Sequence, residues 1–271
     1  MSQFPVFETL ELTVNDAIGV LSLNRPKARN AINDQLRIEF KDAVDYIAGD
    51  HSIRGLVLTG AGDVFCSGGD IKGMQERLEQ GARAGELGWR RQREFHETLI
   101  KLFNLDRPTV AAVNGPAFGL GLDLALTCDL VFFAEHAQVA ANFVRRGLVP
   151  DGGGMFHLPR RIGLSKTKEL VFSGRNIDPA EALAIGLADR VLPSAELVSA
   201  AIAWLKECAV HPQTAQALAK TILNRSFETG FEAVNMMGSQ AQAFCYASPE
   251  HQDSVRAFFE DRDRARSSKK P

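Results

Sequence analysis

Two glycine-bearing segments of the chain have the residue types of loops that hold a negatively charged oxygen through backbone amides. The first, Phe65 to Ile71, reads FCSGGDI, and the second, Ala112 to Asp123, reads AVNGPAFGLGLD. Each follows an apolar run typical of a buried strand and leads into a helical pattern. A strand, a glycine turn and a helix N-terminus leave backbone N–H groups unpaired, and such groups can stabilise an oxyanion. Either segment alone is also explained by a tight turn, whereas the two together favour a site.

The second segment lacks the features of nucleotide-binding loops. The sequence GLG at 119–121 is followed by Leu122 and Asp123, so the third glycine of a dinucleotide-binding fingerprint is missing. No Gly-Lys-Ser/Thr sequence follows either, which excludes a P-loop. The glycines must therefore serve another ligand or the turn itself.

Two aspartates are candidates for proton transfer. Asp123 stands three residues after Leu120, which places both side chains on one face of the predicted helix. Its alternative role is that of a first-turn acid that complements the helix dipole. Asp151 lies in the segment VPDGG, and its alternative role is a helix N-cap. Cys66 has no histidine beside it in sequence, so we interpret it as a small buried residue rather than a nucleophile.

Apolar periodicity predicts the elements that must position these residues. Strand-like runs cover a hairpin from Phe7 to Leu23, then 55–59, 109–113, 130–134 and about 188–192. Helical patterns cover about 34–48, 71–79 and 89–103, begin again near 120 and dominate after about 166. The stretch 80–88 is rich in glycine and alanine, and we expect it to be mobile.

The alternation of strands with helices predicts an α/β protein with a buried sheet. The strand-like runs are continuously apolar rather than alternating, which argues against a β-sandwich. Beyond the last strand the pattern is almost wholly helical. We therefore predict a core domain over residues 1–195 and a helical region over residues 196–271.

Charge and composition exclude several classes of function. A formal net charge of -2 gives no indication of a nucleic-acid partner. The apolar stretch Val110 to Ala134 is interrupted by Asn114, Asp123 and Asp129, so it is not a membrane span. The cysteines form no CxxC pair and the histidines show no ligand spacing, so no metal site is predicted. The N-terminus lacks the features of a secretory signal, which favours a cytoplasmic location.

Four segments, in order, resemble the signatures of the crotonase superfamily, which is the enoyl-CoA hydratase/isomerase family. They are Asn24 to Ala31, Phe65 to Ile71, Ala112 to Asp123 and Gly147 to Gly154, and the ending Ser248 to Phe259 is similar to the family's last helix. The resemblance implies a spiral of ββα units with a C-terminal helical trimerisation region. It also implies a homotrimer, or a hexamer built as a dimer of trimers. Such a protein binds acyl-CoA and holds no permanent cofactor, because coenzyme A is part of the substrate.

The resemblance assigns roles to residues of both glycine segments. The peptide N–H groups of Gly69 and Leu120 would hold the thioester oxygen. Most relatives have glycine where Leu120 stands, so its side chain would narrow the acyl channel. Phe118, Leu120, Phe143 and Met74 suggest a largely apolar pocket. The residues expected to contact acyl-CoA are Lys27, Ala28, Arg29, Ser67, Gly69, Asp70, Ile71, Leu120 and, from a neighbouring subunit, Phe258.

The catalytic carboxyl groups depart from the pattern of the hydratases. Asp123 matches their first catalytic glutamate, but Phe143 stands where the second is expected. Two carboxylates hold the water that adds to an enoyl thioester, so this departure argues against ordinary hydration. Asp151 matches a position from which an aspartate transfers protons in several isomerase members. The resemblance therefore favours double-bond isomerisation, with Asp123 and Asp151 as acid and base, slightly over hydration. An acyl-CoA hydrolase, a C–C lyase and a non-catalytic acyl-CoA-binding relative remain alternatives.

Overall fold

The computed structural model describes residues 5–267, apart from the side chains at 263 and 265–267. The strands are β1 (Leu10–Asn15), β2 (Ile18–Leu23), β3 (Gly55–Gly60), β4 (Thr109–Val113), β5 (Ala117–Phe118), β6 (Leu130–Ala134), β7 (Val139–Ala140) and β8 (Arg190–Leu192). The helices are α1 (Asp34–Gly49), α2 (Ile71–Leu78), α3 (Ala84–Phe103), α4 (Leu120–Leu126), α5 (Gly154–Ile162), α6 (Leu164–Ser173), α7 (Pro179–Ala184), α8 (Leu197–Ala209), α9 (Gln213–Leu223), α10 (Phe231–Ala247) and α11 (Pro249–Ser267).

Six strands form the main sheet, in the order β1-β2-β3-β4-β6-β8, and β5 pairs with β7 in a small second sheet. Only β1 runs antiparallel to its neighbour; every other pairing in the main sheet is parallel. Every residue of β3 and of β4 is buried, as expected for central strands with both faces covered. The continuous apolar runs therefore predicted these strands correctly, and the α/β class is confirmed.

The hairpin of β1 and β2 closes through a two-residue turn. Asn15 pairs with Ile18, and the two residues between them, Asp16 and Ala17, have φ angles of 49° and 64°. Positive φ at both central positions is the geometry that matches the twist of the flanking strands. Asp tolerates this conformation better than Ala, so Ala17 adopts it at some cost.

Helix α3 begins earlier than the sequence pattern indicated. The stretch predicted to be mobile instead forms a 3-10 turn over Gly81–Arg83 and then the first turn of α3, which begins at Ala84. The two glycines in this turn, Gly85 and Gly88, suggested a loop. A side-chain pair between Glu86 and Arg90, one helical turn apart at 2.8 Å, supports the helix there.

The chain separates into two compact units, the first ending at Cys208 and the second beginning at Ala209. The sequence pattern placed this boundary after residue 195. Helix α8 accounts for the difference, because it packs on the sheet: a Cβ atom added at Gly55 in β3 would lie 3.0 Å from Leu205 Cδ2. The second unit contains α9, α10 and α11, and its role in trimerisation stays a prediction.

None of the helices in residues 5–267 is both long enough and apolar enough to cross a membrane.

Candidate active site

The two glycine segments lie side by side at the ends of their strands. The Phe118 N–H donates to the Cys66 carbonyl at 3.0 Å, and the Cys66 N–H donates to the Pro116 carbonyl at 3.1 Å. The segments approach so closely that a Cβ atom added at Gly121 would lie 2.3 Å from the Cys66 oxygen. Glycine is therefore required at Gly121 by packing and not only by the turn.

Gly69 and Leu120 lie in the wall of the same cavity. The neighbours of Gly69 are tied to Ile32, whose N–H donates to the Gly68 carbonyl at 2.8 Å and whose carbonyl accepts from Asp70 at 3.1 Å. Leu120 is the first residue of α4, where N–H groups have no partner within the helix. A Cβ atom at Gly68 would lie 3.6 Å from the Leu120 nitrogen, so the two loops meet there.

A cavity of about 230 Å³ contains both of these residues. Its walls include the four residues that predicted an apolar pocket, namely Met74, Phe118, Leu120 and Phe143. They also include four arginines: Arg37, Arg91, Arg145 and Arg146. The wall thus combines the apolar side chains that the sequence suggested with charged side chains from distant segments, which the local sequence does not indicate.

Asp151 lies in the wall of this cavity and is the one carboxyl side chain there among the described residues. It also lines a second cavity, of about 360 Å³, together with aromatic residues of α3 and α5. The N-cap of α5 is Gly153, so the alternative of Asp151 as the helix cap does not hold. Its Oδ2 lies 3.3 Å from His96 Nε2, a contact too poorly directed to be a hydrogen bond.

Asp123 is wholly buried on α4 and does not line either cavity. Burial, together with the nearby charge of Asp151, raises the pKa of Asp123 to about 8. The N–H groups of Gly152 and Gly154 act in the opposite direction, but neither carboxyl oxygen has a well-formed hydrogen bond to the described residues. This pKa favours the protonated, neutral form of the carboxyl group at pH 7.

The side chains of Leu120 and Asp123 both pack against Gly152. A Cβ atom added at Gly152 would lie 2.3 Å from Leu120 Cδ1 and 3.1 Å from Asp123 Oδ2. Leu120 lines the cavity, whereas Asp123 is buried and does not. The two aspartates predicted to act together thus have different access to a ligand.

An adjoining cavity of about 480 Å³ shares part of its wall with the first. The residues common to both are Ser67, Gly69, Ile71, Phe118, Asn142 and Arg146. Its other walls include Ala28, Arg29 and Asp70, three of the residues expected to contact acyl-CoA. Asp70 also caps α2 by accepting from the Lys72 N–H, and it pairs with Arg25 at 3.1 Å.

Two of the predicted contact residues are not part of these walls. Lys27 lies in the 3-10 turn Pro26–Ala28 beside the adjoining cavity but does not line it. Phe258 lies on α11 in the second unit, where its ring packs edge-on against Phe259. Their roles toward acyl-CoA stay predictions.

Metal binding and thiol chemistry find no support in the described part of the chain. No group of three His, Cys, Asp or Glu side chains is placed to hold a metal ion there. Cys66 is buried, and burial raises the pKa of its thiol to about 12. The thiol is therefore protonated and packs as a small apolar side chain, as its sequence context indicated.

Three residues near Asp151 are not indicated by the sequence pattern: Arg37 on α1, and Arg91 and His96 on α3. Arg37 lies next to the apolar stripe that predicted α1, and nothing in its local sequence distinguishes it from a surface arginine. These residues come together only through the packing of α1 on α3.

The chain matches one protein family over most of its length. The family described as enoyl-CoA hydratase/isomerase matches residues 13–267. The crotonyl-CoA hydratase of Syntrophomonas wolfei is 33% identical over 257 residues, which cover 94% of this chain and 96% of that protein. The short-chain-enoyl-CoA hydratase of Clostridium acetobutylicum is 32% identical over 247 residues, which cover 90% and 92%.

Solved structures agree with this assignment. An enoyl-CoA hydratase/isomerase from Cupriavidus metallidurans CH34 matches with a TM-score of 0.88 and 31% identity, over 95% of this chain and 96% of that one. DspI of Pseudomonas aeruginosa matches with a TM-score of 0.86 and 27% identity, over 96% and 97%. The predicted crotonase fold with its C-terminal helices is therefore confirmed. The chain belongs to the enoyl-CoA hydratase/isomerase family.

Proposed function

We propose that the protein is an enoyl-CoA isomerase that moves a double bond from C3–C4 to C2–C3 of an acyl-CoA thioester. Asp151 takes a proton from C2, which leaves a dienolate delocalised from the thioester oxygen to C4. The protonated Asp151 then returns the proton at C4, and the double bond remains between C2 and C3. The reaction consumes no water, and coenzyme A enters only as part of the substrate.

The position of Asp151 carries this proposal. It is the one carboxyl group in the described wall of the cavity that also contains Gly69 and Leu120. A single carboxyl group suffices for isomerisation, because the same group can first accept and then donate the proton. In hydration, two carboxyl groups hold and activate the water molecule better than one. Phe143, which lines the cavity, occupies the position where the family resemblance leads us to expect the second carboxyl group.

The amides of Gly69 and Leu120 supply the oxyanion site in this mechanism. Negative charge moves onto the thioester oxygen as the C2 proton leaves, and fixed N–H donors stabilise that charge. Each such donor typically lowers the barrier by roughly 3 kcal/mol. Leu120 adds the N-terminal dipole of α4. The substitution of leucine for glycine preserves the backbone donor while its side chain fills part of the cavity.

Asp123 has no direct part in this proposal, although the sequence suggested that it pairs with Asp151. Burial favours the neutral form of its carboxyl group, which does not line the cavity. A buried neutral acid there limits the negative charge beside the dienolate, since a second carboxylate would repel the anion. We assign Asp123 this electrostatic role and assign proton transfer to Asp151.

The cavity that adjoins the acyl site is suited to the coenzyme A portion. Arg25, Arg29, Lys72 and Arg146 line it, and their positive charges suit the phosphates of the cofactor moiety. We place the enzyme in the cytoplasm as a trimer or a dimer of trimers, with Lys27 and a partner's Phe258 completing this cavity.

Hydration is the second candidate function, because both relatives described above are named as hydratases. In that reaction Asp151 would activate a water molecule, which would add at C3 while a proton is delivered to C2. Asp123 could assist only if a rearrangement gave its buried carboxyl group access to the cavity.

The direct test uses two substrates, crotonyl-CoA and 3-hexenoyl-CoA, with absorbance of the thioester-conjugated double bond as the signal. We expect the signal to grow with 3-hexenoyl-CoA and to stay constant with crotonyl-CoA. Loss of the signal from crotonyl-CoA, with no gain from 3-hexenoyl-CoA, would replace the proposal by hydration. Binding of both thioesters without turnover would identify a non-catalytic binding protein.

A further inference from the structure

Two arginines occupy the part of the acyl cavity away from the coenzyme A side. Arg37 and Arg91 line the acyl cavity but not the adjoining cavity, which Arg25, Arg29 and Arg146 line. The thioester carbonyl is expected at the wall shared by the two cavities, where Gly69 lies. The guanidinium groups of Arg37 and Arg91 therefore face the distal part of a bound acyl chain.

The Arg37 side chain is charged and almost fully buried. The residue is 8% exposed, and its guanidinium lies 4.5 Å from the centroid of the Phe95 ring. Its Nη1 donates to Gln92 Oε1 at 2.9 Å, but its Nε has no hydrogen-bond partner among residues 5–267. A buried N–H group without an acceptor is costly, and one on a charged group is more so.

The positive charges around Arg37 are only partly neutralised. Burial, and then the neighbouring charge of Arg91, lower the pKa of Arg37 to about 10, while Asp34 and Asp151 act in the opposite direction. Burial and Arg91 also lower the pKa of Arg77. Asp34 pairs with Arg91 at 2.7 Å, and Nε of Arg91, like that of Arg37, is buried without a hydrogen-bond partner among the described residues. An anion in the cavity would relieve the repulsion between these arginines.

A terminal carboxylate is the group that fits these two arginines. A carboxylate accepts two parallel N–H donors from a guanidinium, which gives both strength and orientation. A neutral hydrocarbon chain would gain nothing from the positive charge of these arginines. Among the described residues that line the cavity, Asp151 is the one that can carry a negative charge, and we have assigned it to proton transfer.

We propose that the acyl group of the substrate ends in a carboxylate, so that the enzyme acts on monothioesters of dicarboxylic acids, held at the distal end by Arg37 with Arg91. This inference rests on the proposed function as an acyl-CoA enzyme and specifies the class of its substrate. The phosphates of coenzyme A are the other possible source of an anion at these arginines, and the experiment must separate the two.

The test measures binding of adipoyl-CoA and hexanoyl-CoA by calorimetry. The two thioesters have the same chain length and differ in the terminal carboxylate. Neither has a carbon–carbon double bond, so binding is measured whether or not the enzyme is an isomerase. We expect adipoyl-CoA to bind at least about tenfold more tightly, as for a buried charge-assisted contact. Equal affinity of the wild-type protein for the two would overturn the inference.

Variants then identify the residues responsible. Arg37→Met should abolish the preference by weakening adipoyl-CoA alone, and Arg91→Met should reduce it. Arg91 is the more exposed of the two, so its variant remains informative if burial makes Arg37→Met unstable. Arg90→Met is the matched control, because Arg90 is the neighbour on α3 that pairs with Glu86 at the surface. Equal weakening of both thioesters by Arg37→Met would assign the arginine to coenzyme A and contradict the inference.

Discussion

At the scale of single residues, burial sets the protonation state of Asp123. Its carboxyl group lies within α4 at 0% exposure, and its pKa is raised from 3.8 to about 8. The folded protein therefore binds this proton more tightly than the unfolded chain does. The stability contributed by the neutral acid is complete below about pH 4 and is lost as the pH rises toward 8.

We expect Asp123→Asn to stabilise the protein at pH 8 and to have little effect at pH 4. An amide of the same shape removes the cost of a buried charge, by about 2–5 kcal/mol at pH 8. The measurement is urea unfolding at both pH values. Asp151→Asn, at a partly exposed carboxyl group, is the control and should show a much smaller change with pH. A stability gain for Asp123→Asn that is equal at pH 4 and pH 8 would refute the assignment.

The sequence predicts some site residues and not others, for a physical reason. The two glycine segments could be located because local glycine patterns determine where a backbone presents free donors. The choice of Gly69 and Leu120 within them rests on the family resemblance and stays a prediction. Arg37 could not be predicted, since its partner Gln92 is 55 residues away in sequence. The burial of Asp123 was also beyond prediction, because it depends on Gly152 and Gly154 from a third segment.

At the scale of elements, α3 supplies several polar groups around Asp151. Arg91 and Gln92 face the acyl cavity, and His96, one turn later, lies 3.3 Å from Asp151. His96 Nε2 is buried and has no hydrogen bond in the structure from residue 5 to 267. Contacts of this kind often tighten when substrate binds. We therefore expect His96 to orient the Asp151 carboxylate.

We predict that His96→Leu lowers kcat about tenfold while KM changes less than about twofold, because orientation matters most in the transition state. His96→Gln should recover most of the activity, since its amide nitrogen can take the place of Nε2. His157→Leu is the matched control: His157 lines the same second cavity but packs against Phe103, with ring centroids 5.2 Å apart. If His96→Leu and His157→Leu lowered kcat equally, His96 would have only a packing role, and the prediction would be wrong.

The buried strands are the elements that the sequence predicts most accurately. Strand β4 and strand β6 lie where the apolar runs place them, because a central parallel strand must be apolar on both faces. The predicted start of α3 was wrong because the glycines before residue 89 were interpreted as a loop. The Glu86–Arg90 pair supports a helix there. Glycine lowers helix propensity without excluding a helix, so local composition alone did not locate the start of α3.

At the scale of the whole molecule, the first unit contains every residue of the cavities described above. The second unit has large apolar side chains that are exposed in a single chain, among them Phe231, Phe244 and Tyr246. Such a surface suits contacts between subunits, in agreement with the trimer that the sequence resemblance implies. The assembly remains a prediction, as does the part that Phe258 has in it.

In the proposed mechanism one carboxyl group, Asp151, both takes the proton from C2 and returns it at C4. The most direct measurement is the steady-state rate with a 3-enoyl-CoA for Asp151→Asn and for Asp123→Asn, after both variants are shown to bind hexanoyl-CoA. We predict that Asp151→Asn lowers kcat by about a thousandfold, as for loss of a general acid–base group, while Asp123→Asn stays within about tenfold of the wild type. A loss at Asp123→Asn as large as that at Asp151→Asn would contradict the account.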